Sequence, residues 1–258
     1  MLLDGISEKM IDLQKTAEIL IINDFSSVKP KKFKQYKNIK KIKIVNLKKN
    51  LGSQKAISIG LNYLNQNTQN SIITILDSDG EDDVNKIPVM IENAEKNENK
   101  IVVSSRTKRQ ENFFFKFAYF FHKILTLLFT LKWISYGNFS SFNSKQLKNI
   151  LKNNSSWLAL SSCIAKNCKI IKVKAERKKR LIGISKLSII GLVSHSLRVN
   201  AVFLKRAIIL SFFYTLLAYS FGYLIFKYFI TLIVIFNFLL VITLIKNYQS
   251  QFFNYNDL

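Results

Sequence analysis

Residues 77–83 place five carboxylates in seven positions, Asp77, Asp79, Glu81, Asp82 and Asp83, directly after the apolar run Ile72-Ile73-Thr74-Ile75-Leu76. Like charges crowded on one short loop repel one another and raise their own pKa values. A divalent cation removes that conflict, and hard carboxylate oxygens suit Mg2+ or Mn2+. On a strand end, alternate side chains point the same way, so Asp77 and Asp79 are expected to share the ion. An ion held there would bridge a diphosphate and stabilise its departure as a leaving group. A helix-loop-helix calcium site is the competing reading of the spacing. Its bidentate glutamate is missing, because loop position twelve, counted from Asp77, is Pro88.

The elements that must position these carboxylates follow an α/β pattern. Over the first ~180 residues short apolar runs alternate with helical periodicity, which predicts a mostly parallel sheet. Strands are expected at 18–22, 41–45, 72–76, 101–104 and 169–173, and helices at 7–16, 53–64, 85–95 and 157–166. In open sheets of this kind ligands bind beyond the carboxyl ends of the strands. The polar residues at those ends are Asn23-Asp24-Phe25-Ser26, the acidic loop, and Ser104-Ser105-Arg106. Between the first two stands Asn50-Leu51-Gly52-Ser53-Gln54-Lys55-Ala56.

This order of motifs resembles the family 2 glycosyltransferases with a GT-A (Rossmann-like) fold, in particular the branch related to dolichyl-phosphate mannose synthase. Tyr136-Gly137-Asn138-Phe139-Ser140 is similar to a G-N-F-S element of that branch, and Arg180-Leu181-Ile182-Gly183-Ile184-Ser185-Lys186 to its R-x-x-G-x-S-K element. The resemblance covers about residues 18–203 and rests on the ordering, since each motif alone is weak. It implies a nucleotide-sugar donor contacted by Asp24, Asp77, Ser53 and Lys55, with Asp79 as the direct metal ligand beside Asp77. It also implies that Glu81 and Asp82 face sugar and acceptor, Asp82 being the general base if the acceptor is a hydroxyl. A polyprenyl phosphate acceptor is already a nucleophile and needs no base. Arg106, Arg180, Ser185 and Lys186 would bind phosphate groups of donor or acceptor, as guanidinium forks and an ammonium can.

The C-terminal region has a different composition. Residues 207–226 and 229–245 carry no charge, and each approaches the ~20 apolar residues that span a bilayer core. They read as a transmembrane hairpin turning at Lys227 and Tyr228. Lysines and arginines flanking the spans put the N-terminal domain and the C-terminus in the cytoplasm, at the cell (inner) membrane. Two buried helices of a soluble core are the bland alternative. Two further stretches suit a membrane surface. Residues 112–134 carry a narrow polar stripe (Asn112, Lys116, Tyr119, Lys123, Thr126, Thr130) on an apolar cylinder, fitting an interfacial helix or a core helix. Residues 187–203 read as an amphipathic helix leading into the first span.

Lys and Arg total 39 against 16 Asp and Glu, a formal net charge of +23. An anionic membrane surface or phosphorylated ligands account for this, and the basic run 177–180 is either a phosphate site or a headgroup patch. A nucleic-acid partner explains the charge but neither the carboxylates nor the spans. Cys163 and Cys168 lack metal-site or disulfide-framework spacing and read as buried small hydrophobes. A homo-oligomer is compatible with the sequence.

The predicted organisation is a GT-A domain over 1–180, a juxtamembrane helix over 181–206, the hairpin over 207–246 and a cytoplasmic tail over 247–258. The chain departs from the resembled pattern in three ways. It opens at Met1-Leu2-Leu3 with no preceding strand and P-x-Y-N-E motif, it has Phe25 where the pattern has glycine, and it lacks the proline after Glu81-Asp82. The alternative function is therefore a truncated, non-catalytic GT-A-fold membrane scaffold or binding module.

Overall fold

The computed structural model describes residues 2–27, 33–106, 113–176, 178 and 188–248. Helix α1 (Leu2–Asp12) leads into β1 (Ala17–Asn23), which pairs in parallel with β2 (Ile39–Asn46) from Glu18↔Lys41 to Asn23↔Asn46. Helix α2 (Ser53–Asn67) packs on β1 so closely that a Cβ on Gly60 would lie 3.2 Å from Ile22 Cγ1. Strand β3 (Ile72–Ile75), helix α3 (Ile87–Lys96) and strand β4 (Lys100–Arg106) follow. After α4 (Phe113–Thr130) come β5 (Tyr136–Asn143), the short α5 (Leu147–Ile150), α6 (Leu160–Asn167) and β6 (Lys169–Ala175).

The second sheet has the order β3-β5-β4-β6. Strand β5 is antiparallel to both β3 and β4, whereas β4 and β6 are parallel. The sheet is therefore mixed, which corrects the expectation of a mostly parallel one. Periodicity did not reveal β5, because Tyr-Gly-Asn-Phe-Ser-Ser-Phe-Asn lacks the branched apolar run that marks a central strand. Its burial is nonetheless near complete, with Ser140, Ser141 and Phe142 all at 0% exposure. Alternation along β4 divides the core. Ile101 and Val103 join Phe142, Leu160 and Ile164 on one face, while Val102 joins Met90, Ile87 and Phe139 on the other. Cys163 is buried and Cys168 half-buried, both as free thiols.

Helix α7 (Ile189–Ala201) begins at Ser188, whose Oγ accepts from Gly191 N at 3.0 Å. It turns through 93° into α8 (Leu204–Tyr219), and α9 (Tyr223–Tyr248) follows. The break between α8 and α9 falls at Ser220–Gly222, where Gly222 takes φ +102°, and not at Lys227 and Tyr228, which lie inside α9. Residues 225–247 of α9 are long and apolar enough to cross a membrane, with mean hydropathy 2.7 and only 11% of the apolar window buried. Helix α8, at 16 residues, rises only ~24 Å, short of the ~30 Å hydrocarbon core. The second span is thus not shown as bounded from the sequence. Along α8, Ile208, Ile209, Phe212, Phe213, Leu216 and Leu217 are nonetheless exposed.

Helix α4 turns its polar stripe inward over its second half. His122 Nδ1 lies 2.9 Å from Ser196 Oγ, Asn200 Nδ2 donates to Thr126 Oγ1 at 3.5 Å, and Arg206 donates to the Thr130 carbonyl at 2.6 Å. Phe117, Phe120, Phe121, Leu127 and Leu128 face outward instead. Polar groups leaving water need partners, and α7 together with Arg206 at the start of α8 supplies them, so the exposed side of α4 is apolar.

Candidate functional site

Strands β3, β4 and β6 run one way and β5 the other, so their carboxyl ends meet the start of β5 at one sheet edge. The β3–β5 register ends at Ile75↔Ser140. Two residues further along each chain, Asp77 lies across from Asn138, whose Nδ2 donates to Asp77 Oδ1 at 3.2 Å and approaches Oδ2 at 3.4 Å. Asn138 Oδ1 in turn accepts from Gln54 Nε2 at 3.1 Å, and Gln54 Oε1 accepts from Leu160 N at 2.7 Å. Asp77 is thus tethered through two side-chain amides to the backbone at the start of α6. An amide suits each link because it donates at one end and accepts at the other.

The acidic loop is ordered by its own carboxylates. Asp79 Oδ1 accepts from Glu81 N at 3.1 Å, and Asp82 Oδ2 accepts from Asp77 N at 3.0 Å. Asp83 caps the single helical turn 84–86 by accepting from Asn85 N at 3.2 Å, and pairs with Lys178 Nζ at 2.8 Å. Lys178 N also donates to the Glu81 carbonyl at 2.9 Å, which pins the chain after β6 to this loop. Glu81 and Asp82 line a shallow cavity with Ser104, Gly137, Phe139 and Glu176.

Strand β3 ends at Ile75, so Asp77 and Asp79 do not alternate along a strand. A turn at Ser78-Asp79 follows. Whatever brings the two carboxylates to one ligand is loop geometry. Among the described residues no three His, Cys, Asp or Glu side chains converge as a metal-holding group.

Asp24 closes the neighbouring loop. Its Oδ1 accepts from Leu51 N at 2.7 Å and its Oδ2 from Gly52 N at 2.8 Å, while Asn50 Nδ2 donates to the Asp24 carbonyl at 3.2 Å. Both carboxylate oxygens thus hold the entry to α2, where Gly52 takes φ +87°. Ser53 is exposed and Lys55 half-buried on the first turn of that helix. The desolvation of Lys55, with the charges of Arg198 and Lys49 adding to it, pulls its pKa below the usual lysine value.

Phe25 sits in the left-handed region at φ +56°, with its side chain 62% exposed. A side chain there costs about 1 kcal/mol that glycine avoids, and little packing offsets it. Phe25→Gly is expected to raise stability by about 0.5–1 kcal/mol, read as a higher thermal midpoint in detergent. An unchanged or lower midpoint would show that the ring packs on something that stabilises the fold.

Arg106 closes β4 opposite Ala175, and its side chain lies outside what the structure describes, as do Arg180, Ser185 and Lys186 altogether. Of the basic run 177–180, Lys178 is described, and its charge is engaged by Asp83.

A family model, "Glycosyl transferase family 2", matches residues 6–162, from α1 into α6. The chain belongs to this family. Its N-terminal α/β region is therefore a GT-A glycosyltransferase domain that takes a nucleotide-sugar donor and passes the sugar to an acceptor. Among curated proteins none matches the transferase. Within the matched region the sequence reading gave no role to Gln54 or Asn138. Both sit inside quoted motifs, but neither carries a charge or a spacing that points to Asp77. Only the β3–β5 register brings them together.

Proposed function

We propose that this transferase moves a sugar from a nucleotide-diphosphate donor to a lipid-linked acceptor, polyprenyl phosphate foremost, at the cytoplasmic face of a membrane. The observation that carries the reading is the tethered Asp77 at the carboxyl edge of the sheet, with Asp79, Glu81 and Asp82 on the loop that follows it. This edge is where an open α/β sheet binds its ligands. Asp24, Ser53 and Lys55 are assigned to the donor side, Asp24 through the loop it holds rather than through a carboxylate left open for the nucleoside.

The donor atoms available at Asp77 and Asp79 are carboxylate oxygens. Mg2+ is usually held by one or two carboxylates together with substrate phosphates, so this pair fits Mg2+ or Mn2+ without a third protein ligand. When bound, the ion supplies the charge that stabilises the departing diphosphate. Asn138 fixes the orientation of Asp77, and Asp82 accepts the proton of a hydroxyl acceptor. With a phosphate acceptor that step is absent. Arg106, Arg180, Ser185 and Lys186 are proposed to neutralise phosphate charge.

The apolar, largely uncovered α9 favours a membrane anchor. If α8 stands along the membrane normal, the 93° bend lays α7 in the membrane plane. The outward apolar face of α4 fits the same surface. These features favour an acceptor that arrives from the lipid, as in the polyprenyl-phosphate branch, and a cell-membrane location.

The test is nucleotide release by the purified, detergent-solubilised protein. It is given Mn2+ or Mg2+, a panel of UDP-, GDP- and dTDP-sugars, and a polyprenyl phosphate. Metal-dependent release from one donor, increased by the lipid, is expected. Release from no donor would remove the transferase reading in favour of a scaffold, and release indifferent to the lipid would remove the lipid acceptor.

A further inference from the structure

The two sheets share their covering helices but do not join. Strand β1 is bonded to β2 and strand β3 to β5, so each keeps an open edge among the described residues. On one face, the cluster of Ile6 and Met10 from α1 with Met90 from α3 takes in Ile19 of β1 and both Ile72 and Leu76 at β3. On the other face, α2 lays Gly60 against Ile22 of β1, and its Leu61 shares a cluster with Ile73 of β3. The carboxyl ends of β1 and β3 lie at one edge. Asp24 holds the start of α2 there, and Gln54 of that first turn reaches Asp77 through Asn138.

The β1 rim is more exposed than its sequence suits. Ile19, Leu20, Ile21 and Ile22 form the continuous apolar run of a strand covered on both faces, yet none of the four is buried. In β4, by contrast, Ile101, Val102 and Val103 are all at 0% exposure. Proteins normally pair or cover an open apolar edge of this kind. One added strand needs ~10 Å between its neighbours, two spacings of ~4.8 Å, and that is about the width of a single helix such as α1.

Helix α1 fixes the direction of entry. Its last turn is held at the amino end of β1, where Asn38 Nδ2 donates to the Lys15 carbonyl at 2.7 Å and the Met10 carbonyl at 3.4 Å. Its first turn lies at the opposite edge, since a Cβ on Gly5 would meet Val84 Cγ2 at 3.1 Å, just past the acidic loop. The helix thus runs back from the carboxyl edge to the amino edge, as the helix of a β-α-β unit does. A strand feeding it ends at the carboxyl edge, parallel to β1 and β3.

We propose that the seam between β1 and β3 is the seat of one more parallel strand, an extended apolar segment of the same polypeptide that enters α1 at its amino end. Backbone groups of both rims hold it as a ladder and join the two sheets into one. Its last residues lie between the Asp24 loop and the acidic loop, on the donor side. That consequence rests on the donor reading above; the seat itself does not.

Backbone hydrogen exchange of the detergent-purified protein, with no nucleotide sugar present, tests the seat separately from sugar transfer. Alternate amides of β1 and β3 are expected to exchange at least about tenfold faster than those of β4. Three probes are then compared: a Val/Ile-rich strand segment with a Ser-Asn turn fused ahead of Met1, the same fusion with proline at alternate positions, and the apolar segment as an equimolar free peptide. The apolar fusion should slow those amides by at least about tenfold and raise the thermal midpoint. The proline form lacks the backbone donors and should do neither. Amides of β1 and β3 already as protected as those of β4 would overturn the seat. So would an apolar fusion without effect, or one matched by its proline form. A free peptide that protects as well as the fusion overturns the same-polypeptide source and leaves a seat for a partner's strand.

Discussion

Asp79→Asn is expected to reduce metal-dependent nucleotide release by about a hundred- to a thousandfold, the scale on which loss of a preorganised charge at a leaving group acts. The substitution preserves shape and the capacity to accept from Glu81 N, which now bonds Asp79 Oδ1 at 3.1 Å. The loop therefore keeps its fold while losing one formal charge toward the cation. Because the effect runs through the ion, the residual activity should respond to raised Mn2+, shifting the metal concentration for half activity upward. Wild-type activity in the variant, with the same metal requirement, would exclude Asp79 as a ligand.

Asn138→Ala is expected to lower kcat by about ten- to a hundredfold while leaving the donor KM within a few-fold. The side chain touches Asp77 and Gln54, so its removal frees a carboxylate that must be held in one geometry. Misplacement by about 1 Å can cost a factor of that size. Gln54→Leu breaks the next link, where Oε1 accepts from Leu160 N at 2.7 Å. If the three groups act as one tether, the double variant is no worse than Asn138→Ala alone. Additive losses, or a KM effect that carries the whole change, would mean that the two amides act separately and that Asp77 is held by other means.

Much of the fold was legible because its determinants are local. The runs around Ile19–Ile22, Ile42–Val45 and Ile101–Val103 are apolar and bounded by polar turns, so strands form there whatever surrounds them. Helical spacing at 53–64 and 85–95 corresponds to the helices Ser53–Asn67 and Ile87–Lys96. Phe25 was marked as a departure from the family pattern, and its positive φ shows the backbone conformation that glycine would have served. What was misread depended on partners. Strand β5 is polar in sequence and central in the sheet, because Ser141 is paired with Thr74 at 2.8 Å and small side chains let the covering layers approach. Of the α4 stripe, Thr126 meets Asn200 of α7 and Thr130 meets Arg206 of α8, and the break between α8 and α9 falls at Ser220–Gly222, before Lys227, where the charge pattern puts it.

The sequence by itself determined the α/β class, the acidic loop after an apolar strand, the uncharged C-terminal segments and the order of motifs that places the chain among family 2 glycosyltransferases. Each of these is written in residue type and near-neighbour spacing, where propensity, charge repulsion and hydrophobic length act without help from distant residues. Only the tertiary structure decided that Asp77 meets Asn138 across 61 positions and that Gln54 reaches Leu160 across 106. Those pairings come from sheet register and helix packing, which the whole core sets at once and no local pattern records.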